Sequence, residues 1–354
     1  MSEPAPSSPA PHKRRKRYAG KNPRKFADKY KEHDPERYAG DVAKVIASGK
    51  TPAGSHRPIM VTEILAALAL QPGETVVDCT LGYGGHTREM LAKIAPKGRL
   101  IGLDVDPIEQ PKTIARLRAA GFGDEVFTAV RSNFAGLPKV LAELGLTGAD
   151  AILADLGISS MQLDDPTRGF TFKHDGPLDL RLNPTREPTA ASWLARVREA
   201  DLAAALADNA DEPKAELIAR ELVAKRSITP FTRTQQLAEA LREILRLPPP
   251  GRGVETDDSP LRRVFQALRI AVNDEFGVLD LFLRNLPYAL KPGGRVAILT
   301  FHSGEDRRVK TAFKTGLRDG IYSAVSEEVV RAGADELRAN PRSSSAKLRW
   351  AVRA

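Results

Sequence analysis

The sequence predicts an α/β protein built on a doubly wound, Rossmann-like parallel sheet into which a small all-helical domain is inserted. Three observations lead to this fold class. Strand-like and helix-like segments alternate from about residue 56 to residue 155, a glycine-rich turn joins the first strand to the next helix, and acids end the strands. Such alternation is typical of a parallel sheet with helices on both faces.

The first strand and the turn after it form the most informative segment. The β-branched run Thr75–Val77 leads into Asp78, the turn Gly82–Gly85 follows, and a helix is expected from about His86. Glycine permits positive φ and leaves no Cβ between the loop and a ligand. A strand, a glycine turn and a helix in this order bring the backbone close to a nucleotide-like ligand.

The second strand adds an acid where ribose recognition needs one. The apolar run from residue 99 ends in Asp104, about twenty residues beyond the turn, where a carboxylate can accept both ribose hydroxyls. The turn lacks the G-x-G-x-x-G spacing of dinucleotide sites, which makes a dehydrogenase a poor fit. S-adenosylmethionine has no pyrophosphate to be held, so a looser turn suits it. We therefore expect an adenosine-containing cofactor and favour S-adenosylmethionine.

The acids at the strand ends should meet at one edge of the sheet. Ligands of open α/β sheets bind outside the carboxyl ends of the strands, and Asp78, Asp104 and Asp155 all stand at such ends. Strands are expected at residues 75–80, 99–105, 126–131, 150–155, 295–301 and 347–352, and helices at residues 61–70, 107–119, 136–144, 261–275 and 277–290.

The alternation stops for the stretch that follows Asp155. Residues 158–184 are rich in Asp, Gly and Pro and are expected to form a loop, and Pro248–Gly253 breaks the chain sharply. Alanine and leucine at helical spacing predict helices at residues 189–208, 214–225 and 232–247. The expected domains are a basic extension (1–55), a first sheet part (56–164), an inserted helical substrate-recognition domain (165–258) and a second sheet part (259–354).

The basic extension is expected to be disordered when free. Residues 1–55 hold thirteen Lys and Arg against six Asp and Glu, which places +7 of the net charge of +9 in this segment, together with few apolar residues. Such a segment attaches electrostatically to nucleic acid. A solubilising tail is the alternative interpretation.

Composition excludes several classes of protein. The hydrophobic fraction of 42% supports a core, but no apolar run approaches the roughly 20 residues of a membrane span. Residues 1–30 lack the apolar segment of a secretory signal. The single cysteine, Cys79, excludes an internal disulfide and a multi-cysteine zinc site. The six histidines are scattered, so no metal is expected. A reducing, cytoplasmic location fits.

From about His56 to the C-terminus the chain carries motifs whose order and spacing are highly specific. They are His56–Met60, Gly84–His86, Asp155–Ser160, Gln162–Asp165, Arg168–Phe172, Asp175–Arg181, Phe265–Ile270, Phe301–Ser303, Glu305–Arg307 and Asn340–Ser344. In this order they resemble the bacterial 16S ribosomal RNA (cytosine-N4)-methyltransferase family. The resemblance implies a class I methyltransferase fold, S-adenosylmethionine as cofactor, and N4 of a cytosine in the decoding (P-site) region of 16S ribosomal RNA in the small subunit as target.

The resemblance also assigns cofactor contacts residue by residue. Asp104 suits the ribose, and Phe134 offers an apolar wall for adenine. Without the resemblance, Phe134 would be interpreted as a core aromatic and Gln162 as a loop amide. The implied cofactor-binding residues are Gly84, Gly85, His86, Asp104, Phe134, Asp155 and Gln162.

Four residues are the candidates for catalysis. Methyl transfer from a sulfonium is an in-line displacement that depends largely on alignment. The cytosine amino nitrogen is a poor nucleophile, so Asp155 is placed either to accept from it or to orient the cofactor. We expect Ser159 and Ser160 to hold the base edge, and His302, which follows a strand, to lie in the RNA pocket.

The target base must be exposed before it can react, since RNA is read mainly where it is unpaired. We expect Arg168, Phe170, Phe172, Arg181 and the helical insert to frame the base pocket, and Arg262, Arg263 and Arg269 to bind phosphate. Surface salt bridging is the alternative for each arginine.

The chain departs from the family pattern at a few places, and other functions stay open. Gly304 replaces an apolar residue, Ser259–Arg263 replaces a His-Pro-Ala-Thr-Arg-like run, and the basic extension is additional. The alternatives are a methyltransferase for another RNA, DNA or an amine, and a non-catalytic RNA-binding factor of ribosome assembly. The intact Gly84–His86 turn argues against the non-catalytic alternative. A homodimer is compatible with the sequence.

Overall fold

The computed structural model describes residues 58–248 and 257–354, and its sheet has the predicted doubly wound form. Seven strands lie in the order β3-β2-β1-β4-β5-β7-β6. The first five are mutually parallel, whereas β7 runs antiparallel to both of its neighbours. The strands are β1 (Thr75–Asp78), β2 (Arg99–Asp104), β3 (Phe127–Arg131), β4 (Ala149–Asp155), β5 (Leu290–Thr300), β6 (Tyr322–Val325) and β7 (Lys347–Arg353).

Thirteen α-helices belong to the described part of the chain. They are α1 (Val61–Leu68), α2 (Gly85–Ile94), α3 (Glu109–Ala119), α4 (Leu137–Glu143), α5 (Ser160–Asp164), α6 (Ala190–Arg196), α7 (Glu199–Ala210), α8 (Ala215–Arg226), α9 (Thr234–Leu245), α10 (Ser259–Asn273), α11 (Glu275–Ala289), α12 (Ser303–Arg318) and α13 (Ala334–Ala339). None of those in residues 58–248 and 257–354 combines the length and the apolar character needed to cross a bilayer.

Helices cover the sheet on both faces, which explains why its central strands are apolar on both sides. One face packs on α1, α2 and α3, through a core that includes Leu68 and Met90. The other face packs on α4, α11 and α12, through a core that includes Phe282 and Phe313. The carboxyl ends of the strands therefore stay open at one edge, between these two layers.

A third core holds the inserted helices together. It runs from Phe170 to Leu268 and takes in α6 to α10. Because Leu261, Phe265 and other residues of α10 belong to it, we propose that the helical part extends beyond the expected boundary at residue 258. The expected basic extension and most of the Pro248–Gly253 break lie outside the described residues.

The predicted helix at residues 189–208 is wrong as a single helix. The backbone is extended at Val197 and Arg198, which separates α6 from α7. Glu199 and Asp201 in the first turn of α7 suit a helix N-terminus, where negative charge is stabilised. A continuous alanine and leucine pattern concealed this break.

The sequence prediction also missed α12, α13 and β6. The sixteen residues of α12 contain only a narrow apolar stripe around Val309 and Phe313. β6 has four residues, and it forms by pairing with the distant β7. The predicted loop at 158–184 contains α5 and a 3-10 turn at Pro166–Arg168.

Candidate active site

A cavity of about 700 Å³ opens at the carboxyl ends of β1, β2, β4 and β5 and reaches the helical insert. Its volume lies within the range of roughly 300–1,000 Å³ that small-molecule sites occupy. Strand order reverses between β1 and β4, and crevices of open α/β sheets form at such a point. The chain thus places one continuous site between the sheet and the helices.

The glycine turn forms one wall of this cavity. Gly82, Tyr83 and Gly85 line it, and φ is +46° at Gly82. Gly84 itself does not line the cavity, so its expected role as a cofactor contact stays a prediction. Its φ is +75°, and a Cβ there would lie 2.9 Å from Cγ2 of Thr113. Gly84 therefore lets the turn pack against α3 while Tyr83 and Gly85 line the cavity.

The Asp104 carboxylate braces the turn from β2. Its Oδ2 accepts the N–H of Gly82 at 2.7 Å, and its Oδ1 accepts the N–H of Asp106 at 2.8 Å. Burial raises the pKa of Asp104 to about 6, although the two N–H donors oppose this shift. Each carboxylate oxygen keeps a further lone pair. Asp104 also lines the cavity and can still accept ribose hydroxyls.

Buried polar contacts join β1 to β4 behind the cavity. Asp78 accepts from Oγ1 of Thr87 at 2.6 Å and from the N–H of Thr80 at 3.1 Å. Oγ1 of Thr80 in turn accepts the N–H of Asp155 at 2.7 Å. Burial raises the pKa of Asp78. These contacts set the position of Asp155, and the sequence reasoning assigned no role to Thr80.

Asp155 combines a buried carboxylate oxygen, unpartnered among the described residues, with a raised pKa. Its Oδ1 is buried and makes no hydrogen bond to any described residue. Its Oδ2 lies 3.6 Å from Nδ1 of His86, whose Nε2 is 2.9 Å from the carbonyl of Ile59. Burial raises the pKa of Asp155 to about 6, His86 opposes the shift, and Asp78 and Glu305 add to it. Unsatisfied buried carboxylates are costly and mark functional sites.

Ser159 and Gln162 form a capping box at the start of α5. The Ser159 hydroxyl accepts the N–H of Gln162 at 3.1 Å, and Oε1 of Gln162 accepts the N–H of Ser159 at 2.9 Å. Both residues line the cavity. The capping box already accounts for these contacts, so a role in holding the base stays a prediction for Ser159. The side chain of Ser160 lies outside the described residues.

Asp106 is a buried anchor that the sequence reasoning missed. Its Oδ2 accepts from Nε2 of Gln162 at 3.0 Å and from Nη1 of Arg168 at 2.7 Å. Arg168 also donates to the carbonyls of Arg181 and Leu182. Gln162 is thus held by protein contacts at both ends of its amide. We propose that it orders the loop after β4 rather than being a primary cofactor contact.

Phe134 and the aromatic residues of the insert supply apolar walls. Phe134 lines the cavity and packs edge-on against Phe282, with ring centroids 5.2 Å apart. Phe172 and Phe265 line the far side with centroids 5.4 Å apart, and Phe170 lines it as well. Phe134 is therefore compatible with both interpretations, a core aromatic and an apolar wall for adenine, since it packs on the core and also borders the cavity.

The expected RNA-binding arginines divide into two groups. Arg262 and Arg269 line the cavity, although Arg269 is engaged by the Glu275 carboxylate at 2.7 and 2.9 Å. Arg168, Arg181 and Arg263 do not line it. Arg168 is paired with Asp106, Arg181 with Asp179, and Arg263 with Glu212. These three guanidinium groups are engaged in intramolecular ion pairs, and their roles in framing the base pocket or binding phosphate stay predictions.

His302 lines the cavity at the end of β5. Its Nε2 lies 3.2 Å from Oε1 of Glu305, and its ring is 5.8 Å from that of Phe276. A Cβ on Gly304 would lie 2.5 Å from Cζ of Phe276, so the residue that departs from the family pattern makes room for this ring. No group of three or more metal-ligating side chains was found in residues 58–248 and 257–354.

The residues present fit S-adenosylmethionine. The turn at Gly82 and Gly85 leaves the cavity free of side chains there, Asp104 offers acceptor lone pairs, and Phe134 offers an apolar wall. The unpaired carboxylate oxygen of Asp155 would favour a positive charge nearby. A model of the MraW methylase family matches residues 53–354.

The chain belongs to the MraW methylase family. It is 50% identical over 345 residues to "Ribosomal RNA small subunit methyltransferase H 1" of Lachnoclostridium phytofermentans, covering 97% of this chain and 93% of that protein. It is 49% identical over 344 residues to the protein of that name from Agathobacter rectalis, covering 97% and 98%. It is 41% identical over 313 residues to "Ribosomal RNA small subunit methyltransferase H" of Symbiobacterium thermophilum, covering 84% and 96%.

Membership in this methylase family confirms the predicted family, the class I methyltransferase fold class and the predicted cofactor. The alignments also correct one expectation. Only 299 residues follow Ser55, and the first two relatives align over 345 and 344 residues. The alignments with these two relatives therefore include most of residues 1–55, so a segment before His56 is not peculiar to this chain.

Proposed function

We propose that this protein transfers a methyl group from S-adenosylmethionine to N4 of a cytosine in the decoding (P-site) region of 16S ribosomal RNA in the small subunit. The relatives named as ribosomal RNA small subunit methyltransferases support ribosomal RNA as the substrate, because they align over nearly the whole chain. The motif resemblance supports the cytosine amino group. We also propose that the protein acts in the cytoplasm, where its substrate is assembled.

The observation that carries the proposal is the Asp155 carboxylate. It lines the cavity between the glycine turn and the helical insert, and its Oδ1 is buried without a partner among the described residues. A positively charged ligand or an amino donor would satisfy this oxygen. Both are present when a sulfonium cofactor and a cytosine amino group meet in one cavity.

The chain's own residues supply alignment and electrostatics. S-adenosylmethionine supplies an electrophilic methyl group on a positively charged sulfur. Asp104 and the glycine turn would hold the nucleoside part, and Phe134 would flank the adenine. Asp155 would accept from the cytosine amino group and so localise its lone pair on nitrogen. Positioning of this kind accounts for much of the rate of a displacement between two bound reactants.

The helical insert would hold the extruded base. Phe172 and Phe265 offer faces on which a base can stack, and Arg262 lies at the same side of the cavity. Stacking on aromatic side chains is worth about 1–3 kcal/mol per base. Phosphate binding by Arg262 is part of the proposal. Ser159 would meet the base edge with its hydroxyl.

The decisive experiment maps methyl groups on ribosomal RNA. Small subunits from cells with and without the gene are digested and analysed by mass spectrometry, and a plasmid copy carrying Asp155→Asn serves as the control. We expect one N4-methylcytidine to disappear from the decoding region and to return only with the wild-type copy. Identical maps from both strains, or a lost methyl group on another base, would refute the proposal.

A further inference from the structure

The segment after β5 contains a buried charge that methyl transfer as described above does not use. Glu305 is 3% exposed and stands in the first turn of α12. Its Oε2 accepts the N–H of Phe301 at 2.8 Å, and its Oε1 lies 3.2 Å from Nε2 of His302. Burying a carboxylate is expensive unless its partners compensate, so these partners explain why it stays there.

The surroundings keep the Glu305 carboxyl ionised. Burial alone would raise its pKa, but His302, the N–H of Phe301 and the nearby Arg269 guanidinium together hold the pKa below its ordinary value. Arg269 is itself buried and paired with Glu275. A fixed negative charge therefore faces one ring nitrogen of His302.

The imidazole is also confined from other directions. Phe276 packs against it, and the guanidinium of Arg308 lies 3.6 Å above the Phe276 ring. From the helical insert, Oδ2 of Asp211 accepts from the Ser303 hydroxyl at 2.7 Å. Asp211 also pairs with Arg307 at 2.9 Å. The imidazole thus interacts electrostatically with Glu305 and Asp211. Glu305 in turn interacts with Arg269 and Asp155.

The ring nitrogens are poised rather than fully bonded. Both nitrogens are buried, and neither makes a hydrogen bond of good geometry to a described residue, although Nε2 lies 3.2 Å from Oε1 of Glu305. Catalytic hydrogen bonds are often poorly aligned without substrate and tighten in the complex. An ionised carboxylate beside Nε2 selects the tautomer with hydrogen on Nε2, which leaves Nδ1 as an acceptor.

We propose that Glu305 is a positioning residue that holds His302 with Nε2–H toward its carboxylate, so that Nδ1 accepts the proton released by the methylated amino group. This rests on the proposed function. As the nitrogen–methyl bond forms and the sulfur–methyl bond breaks, one amino proton passes from nitrogen to Nδ1. Asp155 then keeps its negative charge beside the cofactor, while His302 takes up the proton.

A simpler role for Glu305 is to cap α12, since acids in a first helical turn often bind nearby N–H groups. Glu305→Gln separates the two roles. The glutamine oxygen can still accept the N–H of Phe301, but its NH₂ group would face Nε2 and select the opposite tautomer, with hydrogen on Nδ1. Asp306→Asn is the matched control, because Asp306 pairs with Arg349 at 2.7 Å on the same turn of α12.

The test measures kcat, KM and ring tautomer in the full chain. Small subunits from cells lacking the gene are the substrate, and two-bond ¹H–¹⁵N spectra of histidine-labelled protein report the tautomer. We expect Glu305→Gln to lower kcat about 100-fold, to leave both KM values within about twofold, and to move the His302 proton to Nδ1. Asp306→Asn should keep the wild-type tautomer and most of kcat.

Two further outcomes decide the inference. A Glu305→Gln protein that keeps kcat within about threefold, or loses it without a tautomer change, overturns the positioning role. If Glu305→Gln fails to fold, His302→Gln replaces it and should lower kcat to the same extent with unchanged cofactor binding; normal kcat would overturn the inference. Failure of the wild type to methylate the subunits would refute the proposed function instead, while the tautomer spectrum still tests the contact between Glu305 and His302.

Discussion

Two carboxylates at the strand ends are held in environments that disfavour their charge. Asp104 and Asp155 both have a pKa raised to about 6, chiefly by burial. A folded-state pKa above the unfolded value means that the native protein binds a proton more tightly than the unfolded chain. The resulting stability is present below about pH 4 and is lost as the pH rises through about 6. At neutral pH both carboxylates therefore oppose folding, which is expected of functional groups.

Asp155→Asn should accordingly make the protein more stable and much less active. Removing the charge at pH 7.5 relieves a cost of about 3 kcal/mol, and the gain should vanish near pH 4. Urea unfolding at both pH values measures the first effect, and methylation of small subunits measures the second. Near-normal turnover at saturating cofactor would exclude Asp155 from the reaction, and an equal stability change at both pH values would exclude the electrostatic cause.

Asp104→Ala should weaken S-adenosylmethionine binding by roughly 1.5–3 kcal/mol, as expected for losing a charge-assisted hydrogen bond. The wild-type affinity should rise between about pH 5 and pH 7, because the cofactor carries a positive sulfur and prefers the ionised carboxylates. Calorimetry across this range tests both statements. Unchanged affinity in Asp104→Ala would remove Asp104 from the ribose role.

The turn between β1 and α2 shows how one element depends on a tertiary contact. Gly84 adopts φ +75° with Thr113 and Leu117 of α3 beside it, whereas Gly145 adopts φ +69° and an added Cβ there would meet nothing within 4 Å. Substitution of either glycine carries the same conformational cost, of about 1–2 kcal/mol. The two positions differ in the space around them.

Gly84→Ala should therefore destabilise the protein by about 1–3 kcal/mol more than Gly145→Ala, because its methyl group would overpack against α3. It should also weaken cofactor binding, since displacement of the turn moves Gly82 and Gly85 at the cavity wall. Thermal unfolding and calorimetry of the two variants give the comparison. Equal losses of stability would show that the left-handed backbone alone explains the glycine.

Element prediction succeeded where local pattern and packing agree. The parallel strands are covered on both faces and are therefore continuous apolar runs, which the sequence pattern predicts directly. The helix α12 and the strand β6 were missed because Val309, Phe313 and a four-residue edge strand carry too weak a pattern. Their formation depends on the sheet edge and on β7, which are distant in sequence.

The distribution of charge belongs to the whole molecule. Residues 1–55 hold +7 of the net charge, and the alignments with two relatives include most of this segment. A basic segment that binds RNA releases counterions, so its contribution must weaken as salt rises. Whether the extension touches RNA is a prediction that the salt dependence of binding tests, and its disorder when free is a separate prediction.

Deleting residues 1–50 should weaken binding to small subunits most at low salt and should flatten the slope of log affinity against log salt. Replacing only the five basic residues of Lys13–Arg17 by glutamine should reduce the magnitude of that slope by up to about 3.5. Turnover at saturating RNA should change little, because the family match begins at residue 53. A truncated protein with an unaltered salt slope would favour the solubilising alternative.

The sequence by itself determined the sheet class, the glycine turn, the strand-end acids and the family. These features depend on local patterns and on the order of residues, both of which are present in the sequence itself. Only the tertiary structure decided which side chains face the cavity, because burial and pairing arise between segments far apart in the chain. In the folded chain Gly84 packs against α3, Arg168 pairs with Asp106, and Glu305 lies beside His302. It also left one oxygen of Asp155 without a partner among the described residues, an electrostatic property that no local pattern encodes.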